Sequence, residues 1–118
     1  VSIKVELKGL DKAQKDLIKY NLAKRGQIVA LVEETGLNIQ TTAKKAVQVD
    51  TGRLRSSIRT LFKSTSGLSI EVGSEVKYAP YIEFGTSTNK AYPFLNPAAE
   101  NEKPKYLKEL KKILKEVK

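Results

Sequence analysis

The sequence predicts an α+β fold: a small antiparallel sheet, made of an N-terminal strand and a central hairpin, packed against a long N-terminal helix and followed by a C-terminal helix. Three observations carry this. The first eight residues alternate apolar and polar side chains, the next stretch repeats its apolar residues every three or four positions, and the last twenty form an amphipathic, lysine-rich run. At 118 residues the chain is expected to form one domain, 1–118, around a single modest core.

Val1, Ile3, Val5 and Leu7 alternate with Ser2, Lys4, Glu6 and Lys8, the period of a half-buried strand, which Gly9 ends. Asp11 sits where a helix N-cap is wanted. From there to about Gln48 the spacing is helical. Ala13, Leu17 and Tyr20 make a first stripe, and Ile28, Leu31, Val32, Thr35, Ile39, Ala43 and Ala46 a second. Gly26 and Gly36 each cost about 1 kcal/mol against Ala in a helix interior, so a break is expected near Gly26.

Asp50-Thr51-Gly52 has turn chemistry, because Asp and Thr bond their own backbone and Gly admits positive φ. Leu54, Ile58 and Phe62 then share one parity, as do Leu68, Ile70, Val72 and Val76, with Ser64-Thr65-Ser66-Gly67 between them: a hairpin with one apolar face. Tyr78 to Phe84 reads as a turn or two of helix stopped by Gly85, and Thr86 to Tyr92 as an exposed, mobile loop. Asn96-Pro97 is a helix start, with Asn at the N-cap and Pro at the first helical position. An interruption or kink is expected at Pro104, after which Leu107, Leu110, Leu114 and Val117 form a stripe with Ile113 beside it.

The composition excludes more than it asserts. With neither histidine nor cysteine, the usual general base, thiolate chemistry and sulfur-ligated metals are all ruled out. Asp50 and Glu83 lie in loop-like sequence, but no spacing pairs them for acid–base work. The reading is therefore of a non-enzyme with no cofactor and no metal. No apolar run approaches the roughly 20 residues that cross a bilayer, and the alternating amino end is not a secretory signal, so the expected place is the cytoplasm or a particle assembled there.

The net charge of +9 favours acidic partners. Arg53, Arg55 and Arg59 alternate on the expected first strand of the hairpin, with Lys63 at the same parity; four cations on one face could follow a phosphate backbone. The alternative is a solvated strand face. Tyr78, Tyr81 and Phe84 lie outside the strands, so the aromatic platform of a single-strand binder is weak.

Two runs carry a family resemblance: VDTGRLRSSI, Val49 to Ile58, and YAPYIEFGTSTNKAYPFLNPAAE, Tyr78 to Glu100. In this order, with a basic hairpin between and a lysine-rich helix after, the chain resembles the minor structural proteins of siphophage necks, the gene-product-ten-like, head–tail connector or tail-completion proteins. The family pattern falls on Asp50, Thr51, Gly52, Leu54, Ser57 and Ile58, and then on Tyr78, Ala79, Glu83, Phe84, Gly85, Thr86, Pro93, Phe94, Leu95 and Pro97. One departure precedes the first run: the family commonly has Pro before Val-Asp-Thr-Gly, and this chain has Gln48.

Physically, these residues read as structural or interfacial. Gly52 and Gly85 suit special backbone angles, while Phe84, Phe94 and Leu95 anchor loop ends in the core. Glu83, between apolar neighbours, needs a partner, either Arg53 or Arg55 or a backbone N–H, unless it faces solvent. The resemblance implies a virion protein of the head–tail junction that forms a closed ring, commonly of six copies, around the DNA channel. Its partners would be copies of itself, other neck and tail proteins and, transiently, the passing DNA, with no membrane. Strand addition at free sheet edges is one route to such a ring. The competing readings are a basic nucleic-acid-binding domain and a regulatory protein with a soluble partner.

Overall fold

The structure, a computed structural model, describes residues 1–8, 10–47 and 52–115; the expectations for Gly9, Asp50, Thr51 and Val117 fall outside them. The elements are β1 (Ser2–Val5), α1 (Lys12–Tyr20), α2 (Leu22–Ala46), α3 (Gly52–Ser57), β2 (Arg59–Lys63), β3 (Ile70–Gly73), α4 (Ala79–Phe84) and α5 (Leu95–Lys115). The α+β class is as expected. The three strands form an antiparallel sheet in the order β1-β3-β2, α2 lies across it, and α5 packs along α2 and against β1.

The long stripe on α2 holds. Ile28, Leu31, Val32, Thr35, Ile39 and Ala43 are buried, whereas Ala46 at the helix end is exposed. Their spacing turns one face onto Ile70, Val72 and Val5 of the sheet and onto Leu95, Ala98, Tyr106 and Leu110 of α5. Each Ile, Leu and Val among them contributes roughly 1.5–3 kcal/mol when fully buried. Gly36 lies where α2 and β3 meet most closely: a Cβ there would stand 3.1 Å from Ile70 Cδ1 and 3.3 Å from Ile70 Cγ2. Its helix cost is thus offset by the approach of helix and sheet.

The break in the N-terminal helix is not at Gly26, which lies inside α2, but at Asn21. Asn21 has extended backbone angles, and its side chain accepts from Lys24 N at 3.1 Å, so it ends α1 and caps α2. Asp11 caps α1 as expected and forms a reciprocal capping box with Gln14. The first stripe is corrected too. Ala13 and Tyr20 are exposed, and Ile18 is the buried residue of α1. The re-start at Asn21 resets the helical phase, so α1 does not share the buried face of α2.

The second correction concerns the hairpin. Gly52–Ser57 is a helix rather than strand, so Leu54 and Ile58 are buried with helical i,i+4 spacing, and Phe62 on β2 is exposed. Arg53 and Arg55 therefore do not share a strand face with Arg59 and Lys63. The turn after β2 forms as read, with Gly67 at φ 76° and its N–H bonded to Ser64 O at 2.9 Å. α5 runs unbroken through Pro104; Leu107 is exposed and Tyr106 takes the inward place beside Leu110.

Candidate functional site

The second motif run is built around a short helix and a carboxylate. Pro80 stands in the first turn of α4, where its missing N–H costs nothing. Gly85 stops the helix at φ 76°, its N–H donating to Tyr81 O at 2.8 Å; a Cβ there would meet Ala91 N at 2.8 Å and Asn89 O at 3.0 Å. The loop that follows is exposed, as expected, but its backbone is tied back. Thr86 N donates to Asn89 O, Thr86 Oγ1 accepts from Asn89 N, and Tyr92 N reaches Ile82 O at 2.8 Å.

Glu83 is 2% exposed. Its Oε1 accepts from Phe94 N at 3.0 Å and Leu95 N at 2.9 Å, and its Oε2 accepts from Asn96 N at 3.0 Å. These are main-chain donors that the start of α5 would otherwise leave orphaned. The carboxylate also sits at the positive end of a 21-residue helix. Of the partners expected for Glu83, the backbone N–H groups are the ones found. Arg55 turns instead to Val47 O at 2.7 Å, and Arg53 is exposed. The reading of Asn96 as N-cap is corrected: α5 begins at Leu95, and the capping oxygen comes from Glu83, twelve residues earlier in the chain.

The first run is fastened differently. Leu54 and Ile58 are fully buried, and Ser57 Oγ donates to Leu54 O at 2.6 Å while lying 2.6 Å from Ser74 Oγ. Ser74, itself fully buried, accepts from Val76 N at 3.1 Å, which links the first run to the approach of the second. Gly52 opens α3 without a positive φ, and a Cβ on it would meet open space, so it does not hold the special angle expected of it.

Residues 4–85 match the model of the family described as "Bacteriophage HK97-gp10, putative tail-component". The chain belongs to this family. No curated protein and no solved structure matches it. As a member of the HK97-gp10-like family it is a phage tail component, with the place in the virion and the contacts with other phage structural proteins that this entails, and such a structural family points to a non-enzymatic role. No helix among the described residues is long and apolar enough to cross a membrane, and no group of three or more Asp and Glu among them is arranged to hold a metal.

Within this family frame, several expected site residues group together and others do not. Tyr78 is half-buried, while Ala79, Phe94 and Leu95 are buried around Glu83. Phe84 does not anchor the loop: it is 64% exposed, and Tyr81 on the same short helix is 63% exposed. Thr86, Pro93 and Pro97 are exposed. The four cations separate. Arg59 pairs with Glu75 at 3.1 Å, Lys63 pairs with Glu33, and only Arg53 and Arg59 of the four line one cleft.

Two residues escaped the sequence reading. Ser74 gives no periodic signal, because its role rests on one hydroxyl, which meets Ser57 Oγ and Val76 N. Tyr106 does give one, four residues before Leu110 on the inner face of α5. Its hydroxyl donates to Glu6 O at 3.0 Å, tying α5 to the residue after β1, and burial followed by the nearby Glu6 charge pushes the phenol up to about 12.

Proposed function

We propose that the chain is a head–tail junction subunit of a tailed phage, a neck or tail-completion protein that docks by shape and assembles into a ring with copies of itself. The observation that carries this reading is an aromatic display on a fastened support. Tyr81, Phe84 and Tyr92 are exposed, yet the segment bearing them is held by Gly85, by Tyr92 N on Ile82 O, and by Glu83 on the start of α5. Large apolar rings on pre-organised backbone are what interface centres are made of, since little freedom remains to be lost on docking.

The β2 edge of the sheet suits this purpose less well. β2 carries Arg59, Lys63 and a bulge between Thr60 and Phe62, features that blunt an edge against strand addition. The net charge of +9 opposes chance self-association in solution, so the subunit is expected to be monomeric until a neck partner receives it.

The test is a phage carrying this gene with Tyr81→Ser and Phe84→Ser together. Electron microscopy of the lysate should show filled heads and tails lying apart, while the purified double variant melts like the parent. Joined, infectious virions at parental yield would reject the junction role of this surface.

A further inference from the structure

We infer that the cleft between α3, the start of β2 and the segment after β3 takes the phosphodiester backbone of a nucleic acid. Three cations from two elements and a connecting segment line this 610 Å³ space: Arg53 of α3, Arg59 of β2, and Lys77 just before α4. Ser56 and Tyr78 add hydroxyls, and Glu75 is the one carboxylate in the lining.

What distinguishes this cluster is that three parts of the chain bring its cations to one cleft. Exposed cations without a carboxylate partner among the described residues, such as Lys111 and Lys112 of α5, occur elsewhere too, and several others are engaged. Arg55 is bound to a backbone carbonyl, Lys63 to Glu33, Lys4 and Lys8 to Glu6, and Lys105 to Glu34. Among the described residues Arg53 and Lys77 have no carboxylate partner, and both are exposed. The Arg59–Glu75 pair is itself exposed on both sides, so its attraction is weak and an incoming anion can displace it.

The form of the site points to a repeating anion. One protein carboxylate answers one cation, as Glu75 already does for Arg59. A nucleic-acid strand offers a negative charge roughly every 3.4 Å along the axis, enough to engage Arg53, Arg59 and Lys77 in series. Tyr78 is half-buried, and no other aromatic residue lines the cleft, so bases have no stacking platform and the contact is to backbone, without sequence preference. The chain-wide excess of positive charge adds long-range attraction of the same sign. This inference does not rest on the aromatic surface, which lies on other residues.

Fluorescence anisotropy of a labelled 20-base-pair duplex, titrated with the full chain at salt from about 50 to 200 mM, tests it. Three phosphate contacts give a slope of log affinity against log salt of roughly −3. Arg53→Ala with Lys77→Ala should make that slope shallower by about two and weaken binding at the lowest salt at least tenfold. Arg53→Lys with Lys77→Arg should retain the slope, and Lys111→Ala with Lys112→Ala, the same charge loss on the exposed side of α5, should keep it too.

No binding by the parent overturns the proposal, as does equal weakening by the two alanine pairs, which would mean diffuse attraction only. Displacement of the duplex by poly-glutamate as readily as by unlabelled DNA would assign the cleft to an acidic protein segment instead. The Tyr81 and Phe84 phenotype is read in virions, so failure of either proposal leaves the other intact.

Discussion

The two short helices α3 and α4 have the same length and lie in the two motif runs, but they are held in place by opposite chemistry. α3 is pinned through apolar side chains, Leu54 within it and Ile58 just after it, plus a serine pair. α4 is pinned by a buried charge, Glu83, whose only partners among the described residues are three main-chain N–H groups of the next helix. The difference lies in what each helix is free to show. With its inner side satisfied, α3 turns Arg53 outward, and α4 turns Tyr81 and Phe84 outward. One therefore presents charge and the other apolar area, from the same six-residue device.

The largest expected effect tests the charged fastening. Glu83→Ala leaves two buried donors and one part-buried donor without their acceptor and should lower stability by about 3–5 kcal/mol. Glu83→Gln keeps one carbonyl oxygen and should lose about half as much. Urea denaturation of the purified chain measures both, and an alanine variant as stable as the parent would abolish the distinction between α3 and α4. Next in size is one substitution made at two motif glycines. Gly85→Ala forces a side chain into left-handed backbone against Ala91 N and should cost roughly 1–3 kcal/mol. Gly52→Ala meets open space without a positive φ and should be neutral or stabilising by up to about 1 kcal/mol. Thermal melts of the two variants should thus move in different directions; a shared shift would show that both glycines serve one backbone role. The smallest effect is at Lys63, whose pair with Glu33 is exposed on both sides. Lys63→Ala should change stability by less than about 1 kcal/mol, and a larger loss in the same melts would put a fastening charge on β2 as well.

How far the sequence could be read follows the length of each pattern. The α2 face was legible because Ile28 through Ala43 repeats the helical period four times. The hairpin start was not, since Leu54 and Ile58 stand four apart, a spacing that is even for a strand and also one turn for a helix. At Asn21 a side-chain cap outweighed the weaker breaking tendency of Gly26, which a helix interior tolerates. The need of Glu83 for a partner was readable from its apolar neighbours. Its donors were not, because they lie 11 to 13 residues onward and carry no side-chain signature. The shared cleft of Arg53, Arg59 and Lys77 depends on two elements and a connecting segment meeting, which no local spacing encodes.

The grip of Glu83 gives a meaning to the positions of two rings beside it. Pro93 stands immediately before the first donor and Pro97 immediately after the last, so the prolines bracket the three residues whose main-chain hydrogens are needed. Moving either ring inward by one residue would delete a donor while leaving the amino-acid content unchanged. What this junction stores is therefore word order rather than vocabulary, and a shuffled version of the same letters would not close it.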